Sequence, residues 1–179
     1  MKYKTTLLII SMFLLAACGA SRTVSESNPK LDSMIQNLGF KIEMNSMQPL
    51  PTRALNQIAN SGLIQPGNTI NRIDLTSANH FVRMQRDSVS SNLPYFGERQ
   101  MGGGYNNKTG IEFDGVPREI EVTKNERDNS YDVNFTINES SETFFVRLKL
   151  FPNLSVWADI WSSHRNRIRY SGNVVALED

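Results

Sequence analysis

"YDVNFTINESSETFFVRLKLFPNLSVWADIW", running from Tyr131 to Trp161, is the stretch on which the fold turns. Tyr131, Val133, Phe135 and Ile137 alternate with Asp132, Asn134, Thr136 and Asn138 without a break. Phe144, Val146, Leu148 and Leu150 make a second apolar stripe, and Val156, Ala158 and Ile160 a third. Successive side chains of a strand point to opposite faces, so this period of two marks three half-buried strands. The separators, Glu139 to Glu142 and Pro152-Asn153, have turn chemistry. Parity then sets the register. A four-residue loop, Glu139 to Glu142, places Ile137 opposite Phe144, Asp132 opposite Lys149 and Asn134 opposite Arg147. A two-residue Pro152-Asn153 turn would set Leu148 opposite Trp157 and mix the faces, so a three-residue loop is expected there. The outer face then collects Phe145, Arg147, Lys149, Phe151, Trp157, Asp159 and Trp161.

The same alternation extends outward. Ile168 and Tyr170 continue it downstream, after the turn-rich Ser162 to Asn166. Upstream, Arg118 to Lys124 reads as a strand with Ile120 and Val122 inward. Phe40, Ile42 and Met44 alternate with Lys41, Glu43 and Asn45 until Pro49 and Pro51 stop the pattern. Thr69 to Thr76 and Asn79 to Arg86 read as weaker strands, and a parity change between Ile70 and Ile73 suggests a bulge. Before them, Asn28 can cap a helix, Pro29 suits its first turn, and Leu31, Met34, Ile35 and Leu38 keep helical spacing until Gly39 closes it. Short strands, short connections and no crossover helices argue an all-β, mainly antiparallel fold. The expected form is a meander of about eight strands closing into a sandwich or partly open barrel, with one short N-terminal helix.

The first residues are of another kind. Lys2 and Lys4 form a short positive region, and Thr6 to Leu15 is an apolar run too short to span a bilayer as a mature helix. Leu15-Ala16-Ala17-Cys18 resembles the bacterial lipobox, which implies cleavage ahead of Cys18 and a diacylglyceryl group on its thiol. The expected division is a lipoprotein signal peptide over 1–17, a flexible tether over 18–27 and a single β domain over 28–179. Cys18 is the only cysteine, so no intrachain disulfide can form. The full chain carries 19 Lys and Arg against 18 Asp and Glu, and losing Lys2 and Lys4 with the leader leaves 17 against 18. That balance argues against nucleic acid or anionic lipid as partners held by bulk charge. Membrane attachment would come from acyl chains, each buried methylene contributing about 0.8 kcal/mol. Gly19 follows Cys18 in place of an aspartate, and no acidic cluster comes after it. A lipid-anchored protein on the periplasmic side of the outer membrane is therefore expected.

Between the two halves lies a different texture. Leu93-Pro94-Tyr95-Phe96-Gly97, a glycine-rich segment with Gly102-Gly103-Gly104, and Gly110-Ile111-Glu112-Phe113-Asp114-Gly115 follow one another. Together with Tyr131 to Phe135, the strand Phe144 to Phe151, and Ile168 to Gly172, they resemble a Bacteroidota lipoprotein family catalogued as domain of unknown function 4251. The resemblance runs from about Leu31 to Leu177. It implies an exported, mainly β lipoprotein, with no known activity and no catalytic residues to carry over. Leu154 departs from the pattern, standing where glycine would follow an asparagine.

No residue set specifies a reaction. Glu112 and Asp114 share a strand face, and such a pair could serve glycoside hydrolysis, which needs carboxylates roughly 5 to 9.5 Å apart. The plainer reading is the solvated face of a strand whose Ile111 and Phe113 point inward. His80 and His164 have no second ligand type at metal spacing, and a zinc site needs three or four converging ligands, so no metal and no cofactor is expected. There is no G-x-S-x-G or S-x-x-K block, and the glycine run lacks the lysine of a phosphate loop. The face holding Phe145, Arg147, Trp157, Asp159 and Trp161 is the best candidate for contact with a ligand or partner. It has two readings: a platform for a sugar, peptide or protein, or a surface buried under the N-terminal helix with Arg147 paired to Asp159. The sequence points to a non-enzymatic envelope lipoprotein that binds a small ligand or an envelope protein. A glycan-active hydrolase using Glu112 and Asp114, or a purely structural component, are the alternatives.

Overall fold

A computed structural model describes residues 26–50, 56–57, 61, 67–100 and 109–177. Among the described residues, helix α1 (Pro29–Gln36) is followed by ten strands in one sheet. They are β1 (Gly39–Gln48), β2 (Ile73–Asp74), β3 (Phe81–Gln85), β4 (Ser88–Leu93), β5 (Ile111–Gly115), β6 (Arg118–Asn125), β7 (Ser130–Glu139), β8 (Glu142–Leu150), β9 (Ser155–Ser162) and β10 (Ile168–Ala176). The spatial order is β5-β4-β3-β1-β10-β9-β8-β7-β6, with β2 beside β1. Every pairing is antiparallel. The sheet curls into a half-barrel whose concave side is the core. Its two edge strands, β5 and β6, are consecutive in the chain, joined only by Val116 and Pro117. Phe113 of β5 reaches across the concavity to the rings of Phe135 on β7 and Phe144 on β8, at 6.3 and 5.7 Å between centroids.

The all-β antiparallel reading and the register both hold. Ile137 faces Phe144, Asp132 faces Lys149 and Asn134 faces Arg147. The β7–β8 turn is tighter than the four-residue loop expected: Glu139 and Glu142 still pair, and Ser140 takes a left-handed φ of 54° as the first of two central residues. Between β8 and β9 the loop is three residues long. Phe151 N–H donates to the Ser155 carbonyl, and Leu154 closes the loop at φ 67°. That conformation is commonly reserved for glycine; here a partly buried leucine adopts it because its side chain packs on the core.

Other expectations are corrected. α1 is closed not by Gly39 but by Leu38, whose φ is 46°, while Gly39 opens β1. Thr69 to Thr76 contributes only the two residues of β2, and the expected bulge lies elsewhere. Bulges fall in β1 between Met44 and Ser46, so that Met44 and Met47 both point inward, and in β6 between Arg118 and Glu121. β4 was masked in the sequence by its serines: Val89, Ser91 and Leu93 face inward, and Ser91 donates its hydroxyl to the Ile111 carbonyl at 2.9 Å. Val122 lies on the Val133 side of the sheet but stays 41% exposed, because β6 is an edge strand of the sheet. Helix α1 plugs one end of the concave side with Leu31, Met34 and Ile35. It does not cover the outer face bearing Trp157, which the sequence had offered as its seat; the unfilled end of the half-barrel supplies the apolar surface it needs.

Candidate functional site

The glycine-flanked signature blocks build a lock. Tyr170 of β10 donates its hydroxyl to the Pro94 carbonyl at 2.7 Å, and burial pushes that hydroxyl's pKa well up. Tyr95 donates to the carbonyls of Glu98 and Asn166, and its ring lies 5.3 Å from the Arg165 guanidinium. Arg165, almost wholly buried, binds Glu142 through Nε at 2.8 Å and Nη2 at 3.2 Å, and donates Nη1 to the Thr109 and Gly110 carbonyls. Two glycines here answer to space. A Cβ at Gly97 would lie 2.6 Å from the pinned Tyr95 ring, and one at Gly110 would lie 2.5 Å from the Leu93 carbonyl oxygen. The blocks therefore fasten β4, β5 and the β9–β10 connection together. Phe96, by contrast, is about half exposed. The triple glycine between the blocks lies outside the described residues, as does Cys18.

Glu112 and Asp114 alternate with buried Ile111 and Phe113, which places both carboxylates on the outer face of edge strand β5. Their partners across the ladder are Asn92 and Ser90. His80 and His164 do not converge, and among the described residues no group of three His, Cys, Asp or Glu side chains could hold a metal ion.

The outer face of β7 to β10 carries a denser arrangement. Ladder pairing aligns three rows across the strands. The first is Thr136, Phe145 and Trp161. The second is Asn134, Arg147, Asp159 and Arg169, and the third is Asp132, Lys149, Trp157 and Ser171. A polar row thus runs between two rows containing aromatics. Phe145 and Trp161 stack with centroids 5.6 Å apart and planes 12° from parallel. Phe151 meets Trp157 edge-on at 4.9 Å, and Trp157 is 47% exposed. The Arg169 guanidinium sits 5.6 Å from the Trp157 ring.

Charge in the middle row is unevenly satisfied. Arg169 grips Asp159 with Nε and Nη2, both at 2.9 Å, and Arg167 binds the same carboxylate. Burial alone would raise the Asp159 carboxyl; bonds from Arg169 and Arg167 outweigh it and hold the pKa below the usual range. Arg147 stands directly opposite Asp159, yet the expected pair between them does not form. Among the described residues Arg147 has no hydrogen-bond or ion-pair partner. Two shallow clefts flank the rows. One, of about 440 Å³, includes Phe145, Arg147 and Trp161 beside the β6 bulge; the other, of about 470 Å³, includes Asp159, Arg167 and Arg169. The structure thus brings the five candidate residues onto one surface.

The profile of a family described as a domain of unknown function (DUF4251) matches residues 23–174. The chain belongs to this family. A solved DUF4251 family protein from Bacteroides eggerthii shares the fold, with a TM-score of 0.57 at 15% identity over 82% of this chain and 85% of that one. No curated protein matches the chain. The DUF4251 match takes in the signature blocks and the outer face alike. Arg165, Arg167 and Arg169 escaped sequence reasoning. An arginine in a turn-rich segment reads as solvated, and only the register of β9 with β10 shows that Arg169 faces Asp159.

Proposed function

We propose that this DUF4251 protein is a non-enzymatic binding module of the cell envelope, held by lipid on Cys18 at the periplasmic side of the outer membrane. Its contact surface is the outer face of β7 to β10, where it meets a small ligand or an envelope protein. One observation carries the reading: an uncommitted arginine, Arg147, in a polar row between two aromatic rows. Exposed tryptophan and arginine are the residues that concentrate binding energy at contact surfaces. The leader and lipobox support the placement. Glu112 and Asp114 are given no catalytic role.

Photo-crosslinking in intact cells tests the contact. A photoreactive side chain at position 157 should give a discrete adduct that Arg147→Ala weakens, while the same group at position 112 gives none. Equal products from both positions, or none from position 157, would refute the binding face and favour a structural component. The anchor is tested separately. Cys18→Ala should abolish fatty-acyl labelling and release the protein from the membrane fraction; persistence of either sinks that part.

A further inference from the structure

Away from the aromatic rows, the outer side of β10, β1 and β3 holds a cleft of about 550 Å³. Lys41, Glu43, Asn79, Phe81 and Arg83 line it, with residues 175–177 forming the far wall. Its two cations face each other, since Lys41 of β1 and Arg83 of β3 are directly paired across the ladder. Like charges in that position repel. Lys41 is balanced by Glu43, with Nζ 3.1 Å from Oε1, although that carboxylate is more than half exposed. Arg83 is not balanced. Among the described residues it has no hydrogen bond or ion pair, and its Nε is buried without an acceptor. The same row continues through Ser90 to Asp114, two strands and so roughly 10 Å from Arg83. A buried N–H without an acceptor is rare in a folded chain and calls for a partner.

We propose that this cleft binds a small monocarboxylate with an apolar body. Its head lies between Lys41 and Arg83, and its body lies against Phe81 and Val175. When Arg83 turns its Nε edge into the cleft, its fork meets the two oxygens of a carboxylate, which supplies the acceptor Nε lacks and screens the two cations from one another. The apolar walls select against a bare inorganic anion. The site is independent of the aromatic face.

The probe is pentanoate, compared with pentylammonium and pentanol, on the full chain in its own membranes. An amine-acylating reagent reports access to Lys41, with Lys30 as the internal reference. Pentanoate should slow labelling of Lys41 severalfold and saturably, and the other two should not. Arg83→Gln should raise the pentanoate needed by roughly tenfold or more, as loss of a charge-assisted hydrogen bond implies. Arg83→Lys, which keeps the charge without the fork, should fall between. Arg147→Gln should leave the protection of Lys41 by pentanoate unchanged, which separates this site from the proposed contact face. Equal protection by pentanol, protection that survives Arg83→Gln, or no protection of Lys41 would each overturn the proposal.

Discussion

At the scale of single residues the sharpest feature is Arg165 with Glu142. Both are mostly buried, with side-chain exposures of 3% and 14%, and Ser162 adds a further bond to the carboxylate. Breaking a buried pair from one side leaves an uncompensated charge and costs about 3–5 kcal/mol. Arg165→Met should therefore lower stability by that order in urea unfolding, since it strands Glu142 and the Thr109 and Gly110 carbonyls together. A loss below about 1 kcal/mol would show the lock to be ornamental to stability. The signature residues were visible in the sequence as an unusual run. Their role was not, because a glycine's reason is the atom that approaches it, and Tyr95 and Leu93 do so only after the chain has folded back.

Among elements, α1 was the most legible. Asn28 caps it as expected, accepting from Lys30 and Leu31 N–H at 3.0 and 3.4 Å. The same side chain donates to the Pro152 carbonyl at 2.7 Å, tying the helix to the β8–β9 loop. Asn28→Ala should thus cost more than an ordinary cap. About 1 kcal/mol is expected for the cap and a similar amount for the second bond, read from thermal unfolding. A loss within the cap term alone would mean the loop contact is idle. Strands β7, β8 and β9 were legible for the same reason as the helix: each has one wet and one dry face, and the period records it. β4 was not, because Ser91 hides its inward position behind a hydrogen bond to Ile111.

For the whole molecule, the end-to-end pairing matters most. β1 and β10 lie side by side near the middle of the sheet, and β5 and β6 form its edges although they adjoin in sequence. Phe113 holds the curl by bridging to Phe135 and Phe144. Acid stability is also a property of the whole. The Tyr131 hydroxyl and Lys124 hold the Asp32 carboxyl below its ordinary pKa, and the Ser130 hydroxyl does the same for Asp128. Asp159 is held down by its two arginines despite burial. A folded-state pKa below the unfolded value adds stability above the ordinary aspartate value of about 3.9, and that stability is lost as pH falls through the lower folded values. The urea midpoint should therefore stay level from neutral pH to about 5 and decline below about 4. Asp32→Asn should shallow that decline; an unchanged acid slope in the variant would remove Asp32 from the account.

By itself the sequence determined helix α1, strands β7, β8 and β9 with their inward faces, and the registers of β7 with β8 and β8 with β9. Those follow from local periodicity and turn length, which a linear chain carries in full. Only the tertiary structure decided that β1 closes on β10, that α1 fills the concave end, and that Arg147 is left without the Asp159 bond. Each of these is a competition between distant groups for one partner. Arg167 and Arg169 occupy Asp159, and nothing in the spacing of residues along the chain records which arginine arrives.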